Sequence, residues 1–426
     1  MSPSVVRTGV LALVAANAAS QLGNVVAVVA LPWFVLVTTG SPARTGLTAF
    51  ATTLPLAVGA LVGGPVVDWI GIRRASVGSD LGAAAAIAAI PVLHSAGALT
   101  FPLLLALAFA ASALEAPGRA ARRAMLPDLA ARASMPLEHA NSISTTSEHT
   151  GYVAGAPLAG VLIAAVGAPG ALYADVASFA ASAAIVAIGV PRVQAELGRT
   201  RFADGFRFVV SQPLLRTFFV IWTVGGFFIA PLASVVLPVY AKQEFGGATS
   251  LAAAVVAYGA GGLAGTIVFG FVGRRLSRRP FFVAVWIVYP LLTLALVGVP
   301  PLVPLILLLL AIGFVAGMYD PFEVTIHQEL IPPELRARAY AILIASEMTV
   351  VPLSMLLYGL LIGWAGLRAG LLLFAAGNAV LAAFAIANRP ARQLGRQQAD
   401  LFLPLAGEEV DPVDEPYPVA ARAHDE

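Results

Sequence analysis

Three carboxylates fall inside long apolar segments of the chain: Glu347, Glu148 and Asp175. A charged side chain at the centre of a bilayer costs about 2.5–3.5 kcal/mol on insertion scales, so such an acid is usually functional or hydrogen-bonded. An acid that alternates between charged and protonated forms can couple an ion to the movement of another molecule. We predict coupling or ligand contact for Glu347 and Glu148, with a buried interhelical hydrogen bond as the alternative. For Asp175 a structural role is favoured over coupling.

Polar side chains also recur at helical spacing. Asn17, Gln21 and Asn24 are four and three residues apart, so they share one face of a helix. Tyr358 lies on the same helical face as Glu347. Such a stripe suits a water-filled cavity, but it also suits hydrogen bonds between helices. Both interpretations stay open, and all four residues are candidates for ligand contact.

The elements that must position these residues are membrane-spanning helices. Hydrophobic residues make up 59% of the chain, charged residues 11%, and the mean hydropathy is +0.87. A soluble domain carries about 25% charged residues, so a soluble fold is excluded. The 426 residues accommodate about twelve spans of about 20 residues each. The chain has no Cys, which excludes disulfides and thiolate metal sites.

Apolar runs bounded by Gly, Pro and charge predict an all-α integral membrane protein with two six-helix halves. The first six helices lie near 9–38, 45–67, 75–96, 99–116, 141–165 and 169–190. The second six lie near 214–241, 249–273, 280–298, 302–322, 338–363 and 366–388.

The chain divides into four parts. An N-terminal bundle covers 1–190, a linker with a short amphipathic helix covers 191–213, and a C-terminal bundle covers 214–388. The remaining 389–426 is rich in Pro and acidic residues and is predicted to be a disordered tail.

An internal repeat supports the two halves. Three positions recur at a constant offset of 199 residues, one of them a membrane-embedded Glu. The pairs are Glu148 with Glu347, Gly160 with Gly359 and Gly167 with Gly366.

Arginines set the predicted orientation. The loops on one side hold nearly all the Arg residues, whereas the other side holds only Arg44, Lys242 and Arg368. Cytoplasmic loops retain positive charge, so both termini are predicted to be cytoplasmic. The preference for Arg over Lys and the abundant Ala are typical of a high-GC bacterial genome, and the expected location is the bacterial inner membrane.

The turn between predicted helices 2 and 3 carries a specific motif. It places Gly64, Asp68, Gly71, Arg73 and Arg74 in the order Gly-x-x-x-Asp-x-x-Gly-x-Arg-Arg. The glycines permit a sharp turn, and the Asp can meet nearby arginines. The motif resembles the signature loop of the major facilitator superfamily, which implies that it holds the cytoplasmic side closed. Alternatively, the two arginines only follow the charge rule for cytoplasmic loops.

We assign Arg119 and Arg123, which follow predicted helix 4, to the same gate. Further matches are similar to the drug- and siderophore-exporter branch of the superfamily, which includes macrolide-efflux and enterobactin-exporter proteins. They are Ser20-Gln-Leu-Gly23, Ala116-Pro117, Leu126-Pro-Asp128, Tyr173-Ala-Asp175, Gly205-Phe-Arg207 and Leu237-Pro238. This resemblance implies a secondary transporter that exports amphiphilic molecules.

Two features depart from that branch. Many proton-coupled exporters carry an Arg inside helix 4, and the predicted helix at 99–116 has none. The helix 5 antiporter pattern appears with its Pro displaced by one residue, at Pro157. With no Lys or Arg expected in the middle of the membrane, multiply anionic substrates are disfavoured, and neutral or cationic amphiphiles fit better.

Other polar residues are expected near the cytoplasmic ends of helices. Asp80 is predicted to pair with cytoplasmic arginines. Asp320, Glu323 and His327 share a face of helix 10 and are predicted to form a gating cluster with the arginines that follow.

Together these features predict efflux by alternating access, driven by an ion gradient, most plausibly of protons. We expect no bound cofactor, no metal, no catalytic site and no nucleic-acid partner. The expected partners are the lipid bilayer, a small-molecule substrate and the coupling ion, and the chain is expected to be a monomer. An uptake carrier for a small metabolite is one alternative, and a non-transporting membrane sensor or scaffold is another.

Overall fold

A computed structural model describes residues 3–191, 202–331, 333–392 and 394, although some side chains within its helices are not described. The N-terminal half comprises α1 (Pro3–Thr39), α2 (Pro42–Ile70), α3 (Ile72–Ser95), α4 (Phe101–Arg132) and α5 (Leu137–Gly189). A short α6 (Phe202–Ser211) follows within the predicted linker. The C-terminal half comprises α7 (Pro213–Phe245), α8 (Ala248–Val272), α9 (Arg278–Ala295), α10 (Leu302–Leu330), α11 (Pro333–Ala365) and α12 (Leu367–Ala387).

Ten helical segments in the described part of the chain are long and apolar enough to span a membrane. Helix α2 and the first part of α5 correspond to the other two predicted spans, at 45–67 and 141–165. Within the N-terminal half, α1 packs on α5 and α4 packs on α2 and α3. Within the C-terminal half, α8 packs on α10, α7 on α11 and α9 on α12. The chain is therefore a polytopic helical bundle in two halves.

Helix α5 contains two spans joined at a single residue. Gly167 has φ 75° and ψ 167°, a conformation essentially restricted to glycine, and it breaks the helix between the two spans. Gly366 has φ 85° and ψ 170° and joins α11 to α12 in the same way. The two glycines of the sequence repeat thus make the same turn in each half.

Helix α4 ends sixteen residues later than predicted. The sequence around Pro117 was interpreted as the start of a loop, but the helix continues to Arg132. Ala, Leu, Met and Arg dominate this stretch, and all four are strong helix formers. The prediction that helix 4 contains no Arg is therefore wrong, because Arg119 and Arg122 lie on it. Arg119 and Arg122 thus lie within the candidate span Phe101–Arg132.

Connections between helices define two faces of the bundle. The Arg-poor face carries the α1–α2, α3–α4, α7–α8, α9–α10 and α11–α12 connections, and the Arg-rich face carries the opposite ones. Helix α7 reaches the Arg-poor face through two π-helical turns, Leu232–Val236 and Ala241–Phe245. The largest apolar cluster includes Leu36 of α1, Val236 of α7 and Leu251 of α8, so it joins the two halves.

Candidate functional site

A buried ion pair organises the N-terminal half. Arg122 Nη1 donates to both carboxylate oxygens of Asp80, at 2.8 and 2.9 Å, and the two residues are 2% and 0% exposed. Ser182 Oγ also donates to Asp80 at 2.7 Å, and Arg122 Nε donates to Asn17 Oδ1 at 2.7 Å. Asp80 therefore pairs with an arginine within the bundle, and the pair joins α3, α4, α5 and α1.

A second ion pair lies one turn away on α4. Arg119 Nε donates to the carboxylate of Glu115, four residues earlier on the same helix. Asn24 Nδ2 donates to Glu115 Oε1 at 2.6 Å, and Arg119 Nη2 donates to Gln21 Oε1 at 3.2 Å. Each amide of the predicted α1 stripe thus contacts a charged group of α4. The stripe forms helix-to-helix hydrogen bonds, which was one of its two interpretations.

Glu115 had not been selected from the sequence. It is 3% exposed and lies near the middle of α4. Its position four residues before Arg119 is the spacing at which an acid and a base meet on a helix, which was the available signal. The signal was missed because helix 4 was ended at 116.

A small cavity of about 30 Å³ opens beside this network. Its lining residues come from α1 and α4: Asn17, Ser20, Gln21, Arg119, Arg122 and Arg123. The Arg119 side chain is 34% exposed, whereas Arg122 is only 2% exposed. Arg119 was expected in a cytoplasmic loop with Arg123, but it lies inside a span and offers an accessible guanidinium there.

Asp175 lies on α5 where that helix packs on α1, and it is 1% exposed. Ser178 Oγ contacts its Oδ1 at 3.4 Å. A methyl group built on Gly23 of α1 would lie 2.6 Å from the same oxygen, so the glycine permits the close approach of the two helices. Glu115 and Arg119 are within electrostatic range of Asp175. The structure thus adds Asp175 to the edge of the N-terminal polar network.

Glu347 lies on α11 where that helix packs on α7. Thr223 Oγ1 of α7 donates to Ser346 Oγ at 2.8 Å, and a methyl group built on Gly226 would lie 3.7 Å from Glu347 Cγ. The Glu347 side chain is half-buried. Trp222 of α7 lies close to its carboxylate.

Two more carboxylates lie near Glu347. Asp320 and Glu323 are three residues apart on α10, and both are within electrostatic range of Glu347. Glu323 is 3% exposed, whereas Asp320 is solvent-exposed although it lies well inside a span. Within the described residues, no Arg or Lys forms an ion pair with any of the three. The arginines that were expected to join Asp320 and Glu323 lie outside the described side chains.

Buried polar atoms without a hydrogen bond gather around these acids. Among the described side chains they include Glu323 Oε1, Tyr319 Oη, Trp286 Nε1 and Tyr289 Oη. Tyr319 faces Glu323 one turn away and interacts with it, although neither buried oxygen reaches full hydrogen-bonding geometry. Buried polar groups in proteins nearly always have a hydrogen-bond partner. The group of atoms without one suggests that this region binds a further molecule or ion.

Tyr358 itself is fully buried, and its ring lies 6.2 Å from that of Phe227. It shares a helical face with Glu347 but sits three turns further along α11, toward the Arg-poor face. The structure therefore does not bring Tyr358 to the accessible part of the acidic cluster.

The predicted gating loop is only partly described. Helix α2 ends at Ile70, Gly71 has φ 89°, and α3 begins at Ile72, so the turn is as sharp as its glycine suggested. Arg73 donates to the carbonyl of Ala187 near the end of α5, and Arg74 is exposed. Gly64 lies within helix α2, and the side chains of Asp68 and Glu148 lie outside the described part, so the predicted roles of all three stay predictions.

The two halves meet in close contact toward the Arg-poor face. A methyl group built on Gly359 of α11 would lie 2.6 Å from Gly46 Cα of α2, and one built on Gly160 of α5 would lie 2.6 Å from Ala252 Cα of α8. Lys242 at the end of α7 donates to the Leu36 carbonyl near the end of α1. These contacts form a seam that seals this face between the halves.

Known proteins resemble the chain over nearly its whole length. The family model of the Major Facilitator Superfamily matches residues 13–252 and 224–407. The multidrug efflux pump Tap of Mycolicibacterium fortuitum is 34% identical over 361 residues, which cover 82% of this chain and 87% of the pump. The pump of that name from Mycobacterium tuberculosis is 30% identical over 398 residues, which cover 90% of this chain and 94% of the pump.

A solved structure shares the fold. A bacterial homologue of the human lysosomal transporter Spinster, in an inward-facing and unoccupied conformation, superposes with a TM-score of 0.69 at 15% identity. The match covers 92% of this chain and 98% of that protein. The predicted fold class, an all-α membrane protein with two six-helix bundles, is confirmed.

Proposed function

Because the chain belongs to the major facilitator superfamily and is a secondary transporter, we propose that it exports amphiphilic small molecules, drugs among them, in exchange for protons. The multidrug efflux pumps that it resembles over four fifths or more of its length support export of drugs. Proton coupling rests on the chain's own residues.

The observation that carries the coupling proposal is the group of acids in the C-terminal half. Asp320, Glu323 and Glu347 lie within electrostatic range of one another, and the described residues supply no ion-paired base. Carboxylates that share one site repel each other unless a proton or a cation joins them. A proton on Glu347 and a cationic group of the substrate would each relieve this repulsion, so the binding of one weakens the binding of the other. Exchange requires such a linkage.

Alternating access supplies the route. The seam at the Arg-poor face seals one side, and its contacts through Gly46, Gly359 and Lys242 must separate when that side opens. We propose that the Arg-rich face, with both termini, is cytoplasmic in the bacterial inner membrane, since loops rich in Arg are retained there. The loop around Asp68 then holds that face shut in the other state. Each chain carries both halves, so we propose that it works as a monomer.

The test is accumulation of a panel of fluorescent dyes and antibiotics in an efflux-deficient bacterium that expresses the chain, with and without a protonophore. Glu347→Gln removes the charge and keeps the shape of the side chain. Glu244→Gln is the matched control, because Glu244 is exposed on α7 at the Arg-poor face.

We expect the chain to lower accumulation at least about tenfold for some of the panel. The protonophore and Glu347→Gln should both abolish that effect, while Glu244→Gln should leave it intact. Export that survives the protonophore would refute gradient coupling. Export that survives Glu347→Gln but not the protonophore would remove Glu347 from the coupling. Raised accumulation that the protonophore reverses would favour the uptake alternative.

A further inference from the structure

We infer that the preferred substrate is zwitterionic, with its anionic group held by Arg119 of the N-terminal half and its cationic group held by Asp320 and Glu347 of the C-terminal half. This inference rests on the proposed export function and names the class of molecule exported. It differs from the sequence-based expectation of neutral or cationic amphiphiles, which placed Arg119 in a loop after helix 4.

The three charged residues lie the same number of residues from the Arg-poor ends of their helices. Arg119 follows Phe101, the first residue of α4, by 18 residues, and Asp320 follows Leu302, the first residue of α10, by 18 residues. Glu347 precedes Ala365, the last residue of α11, by 18 residues. All three helix ends lie at the Arg-poor face, and at 1.5 Å per residue each charge is about 27 Å from that end. In the proposed site, one molecule between the halves meets the positive group on one side and the negative groups on the other.

Accessibility separates these charges from the structural ones. Asp80 and Arg122 are 0% and 2% exposed and neutralise each other. The Arg119 side chain is 34% exposed in the cavity that Gln21 also lines. Its Nε and Nη2 bind Glu115 and Gln21, which leaves Nη1 without a partner among the described residues. A guanidinium held in this way presents a fixed donor to a carboxylate or another anionic oxygen.

The negative side has independent signs of an unfilled site. Glu323 Oε1 is buried and closes no hydrogen bond, and neither does Tyr319 Oη on the same face of α10. The ring of Trp286 packs edge-on to that of Tyr319, with centroids 5.5 Å apart. Carboxylates beside aromatic rings favour an ammonium group, since both attract a cation.

A molecule with one charge satisfies only half of this arrangement. A cation leaves Arg119 Nη1 without a ligand, and an anion is repelled by Asp320 and Glu347. Discrimination by an unpaired charge of this kind is expected to reach about tenfold.

The test uses four probes built on one fluorophore. Nα-dansyl-lysine carries a carboxylate and an ammonium group; its carboxamide is a cation, its Nε-acetyl derivative is an anion, and the doubly blocked form is neutral. Protonophore-sensitive accumulation of each probe is measured in energised everted membrane vesicles that contain the full chain. We expect the zwitterion to accumulate about tenfold faster than the carboxamide or the acetyl derivative.

Variants then assign each charge to its half. Arg119→Gln should lower accumulation of the zwitterion to that of the carboxamide and leave the carboxamide unchanged. Asp320→Asn should lower accumulation of the zwitterion to that of the acetyl derivative. Arg119→Gln leaves Glu115 without its cation. The double variant of Arg119→Gln with Glu115→Gln removes both charges, and it should show the same selectivity among the four probes as Arg119→Gln alone. The matched controls are Arg275→Gln and Glu244→Gln, which alter exposed side chains.

The outcomes separate this inference from the export function. Equal accumulation of the zwitterion and the carboxamide overturns the inference, as does failure to accumulate the zwitterion while dyes are still exported. A uniform loss of all four probes in Arg119→Gln and in the double variant makes Arg119 structural only and also overturns it. If no dye and no probe moves in response to the gradient, the export proposal itself has failed.

Discussion

The polar groups inside the two halves are arranged in opposite ways. In the N-terminal half, Arg122 and Arg119 are paired with Asp80 and Glu115, and the amides of α1 complete the network. In the C-terminal half, Asp320, Glu323 and Glu347 have one another as neighbours, with no described ion-paired base. Most of the buried polar atoms without a partner also lie in the C-terminal half.

This difference suggests that the two halves have different roles in transport. The Asp80–Arg122 pair satisfies its own charges, so it has little to gain from a ligand, and with Asn17 and Ser182 it fixes four helices relative to each other. A cluster of acids is completed only when a proton or a cation binds, so its stability depends on what it holds. The N-terminal half is thus built as a scaffold with one accessible charge, Arg119, and the C-terminal half as the responsive part.

The largest effect is expected from breaking the buried pair of the N-terminal half. Arg122→Ala leaves the Asp80 carboxylate buried without a cation, which should cost about 3–5 kcal/mol of stability. The melting temperature of the detergent-solubilised protein and its yield should both fall sharply. The double variant Asp80→Asn with Arg122→Gln should recover part of the loss. An unchanged melting temperature in Arg122→Ala would contradict the scaffold role.

A smaller effect is expected where the two halves meet. Gly359→Ala inserts a methyl group against Gly46 and should shift the balance toward an open Arg-poor face. Because Lys242 is the only lysine in the chain and binds across this seam, an amine-reactive probe reports the opening. Labelling of Lys242, measured by peptide mass spectrometry, should accelerate about fivefold, which corresponds to about 1 kcal/mol.

The matched control for that substitution is Gly270→Ala, since a methyl group at Gly270 of α8 meets nothing within 4 Å. Its labelling rate should equal that of the unmodified chain. Equal rates in Gly359→Ala and Gly270→Ala would show that the seam does not have to separate for Lys242 to react.

A modest effect of opposite sign is expected in the acidic cluster. Glu323→Gln replaces one of three neighbouring acids with a neutral amide at a buried position, so it should stabilise the protein by about 1 kcal/mol. The melting temperature should rise by about 1–2 °C. Loss of stability on this substitution would mean that the acids of the C-terminal half are already satisfied, and the contrast between the halves would disappear.

The smallest effect is expected from an ion pair at the surface. Arg278 Nη2 donates to Glu329 at 2.7 Å, but both side chains are partly exposed, at 28% and 34%. Arg278→Gln should change stability by less than about 1 kcal/mol, because exposed pairs gain little. A loss as large as that of Arg122→Ala would show that burial is not what distinguishes the two pairs.

The sequence was sufficient for the architecture. Apolar runs placed the helices, and the recurrence of Gly167 at Gly366 predicted two matching halves, because only glycine makes the turn found at both positions. The ends of helices were harder to predict. Pro117 and the arginines after it suggested a loop, whereas α4 continues through them because each deep charge has a partner on a neighbouring helix.

The site was predicted less completely for the same reason. Asn17, Gln21 and Asn24 were found from their spacing, but the charges that they bind come from α4, and a single sequence does not reveal which helices are neighbours. Glu115 and the depth of Arg119 were missed when the helix was ended early. Glu347 could be found because an acid inside a hydrophobic span is conspicuous by itself.

The turns at Gly167 and Gly366 also bear on how the protein is made. Each joins two membrane spans with a single non-helical residue, so no loop of useful length separates them. We therefore expect the two spans on either side of each glycine to enter the bilayer together as a helical hairpin. These glycines would then determine membrane insertion as well as shape.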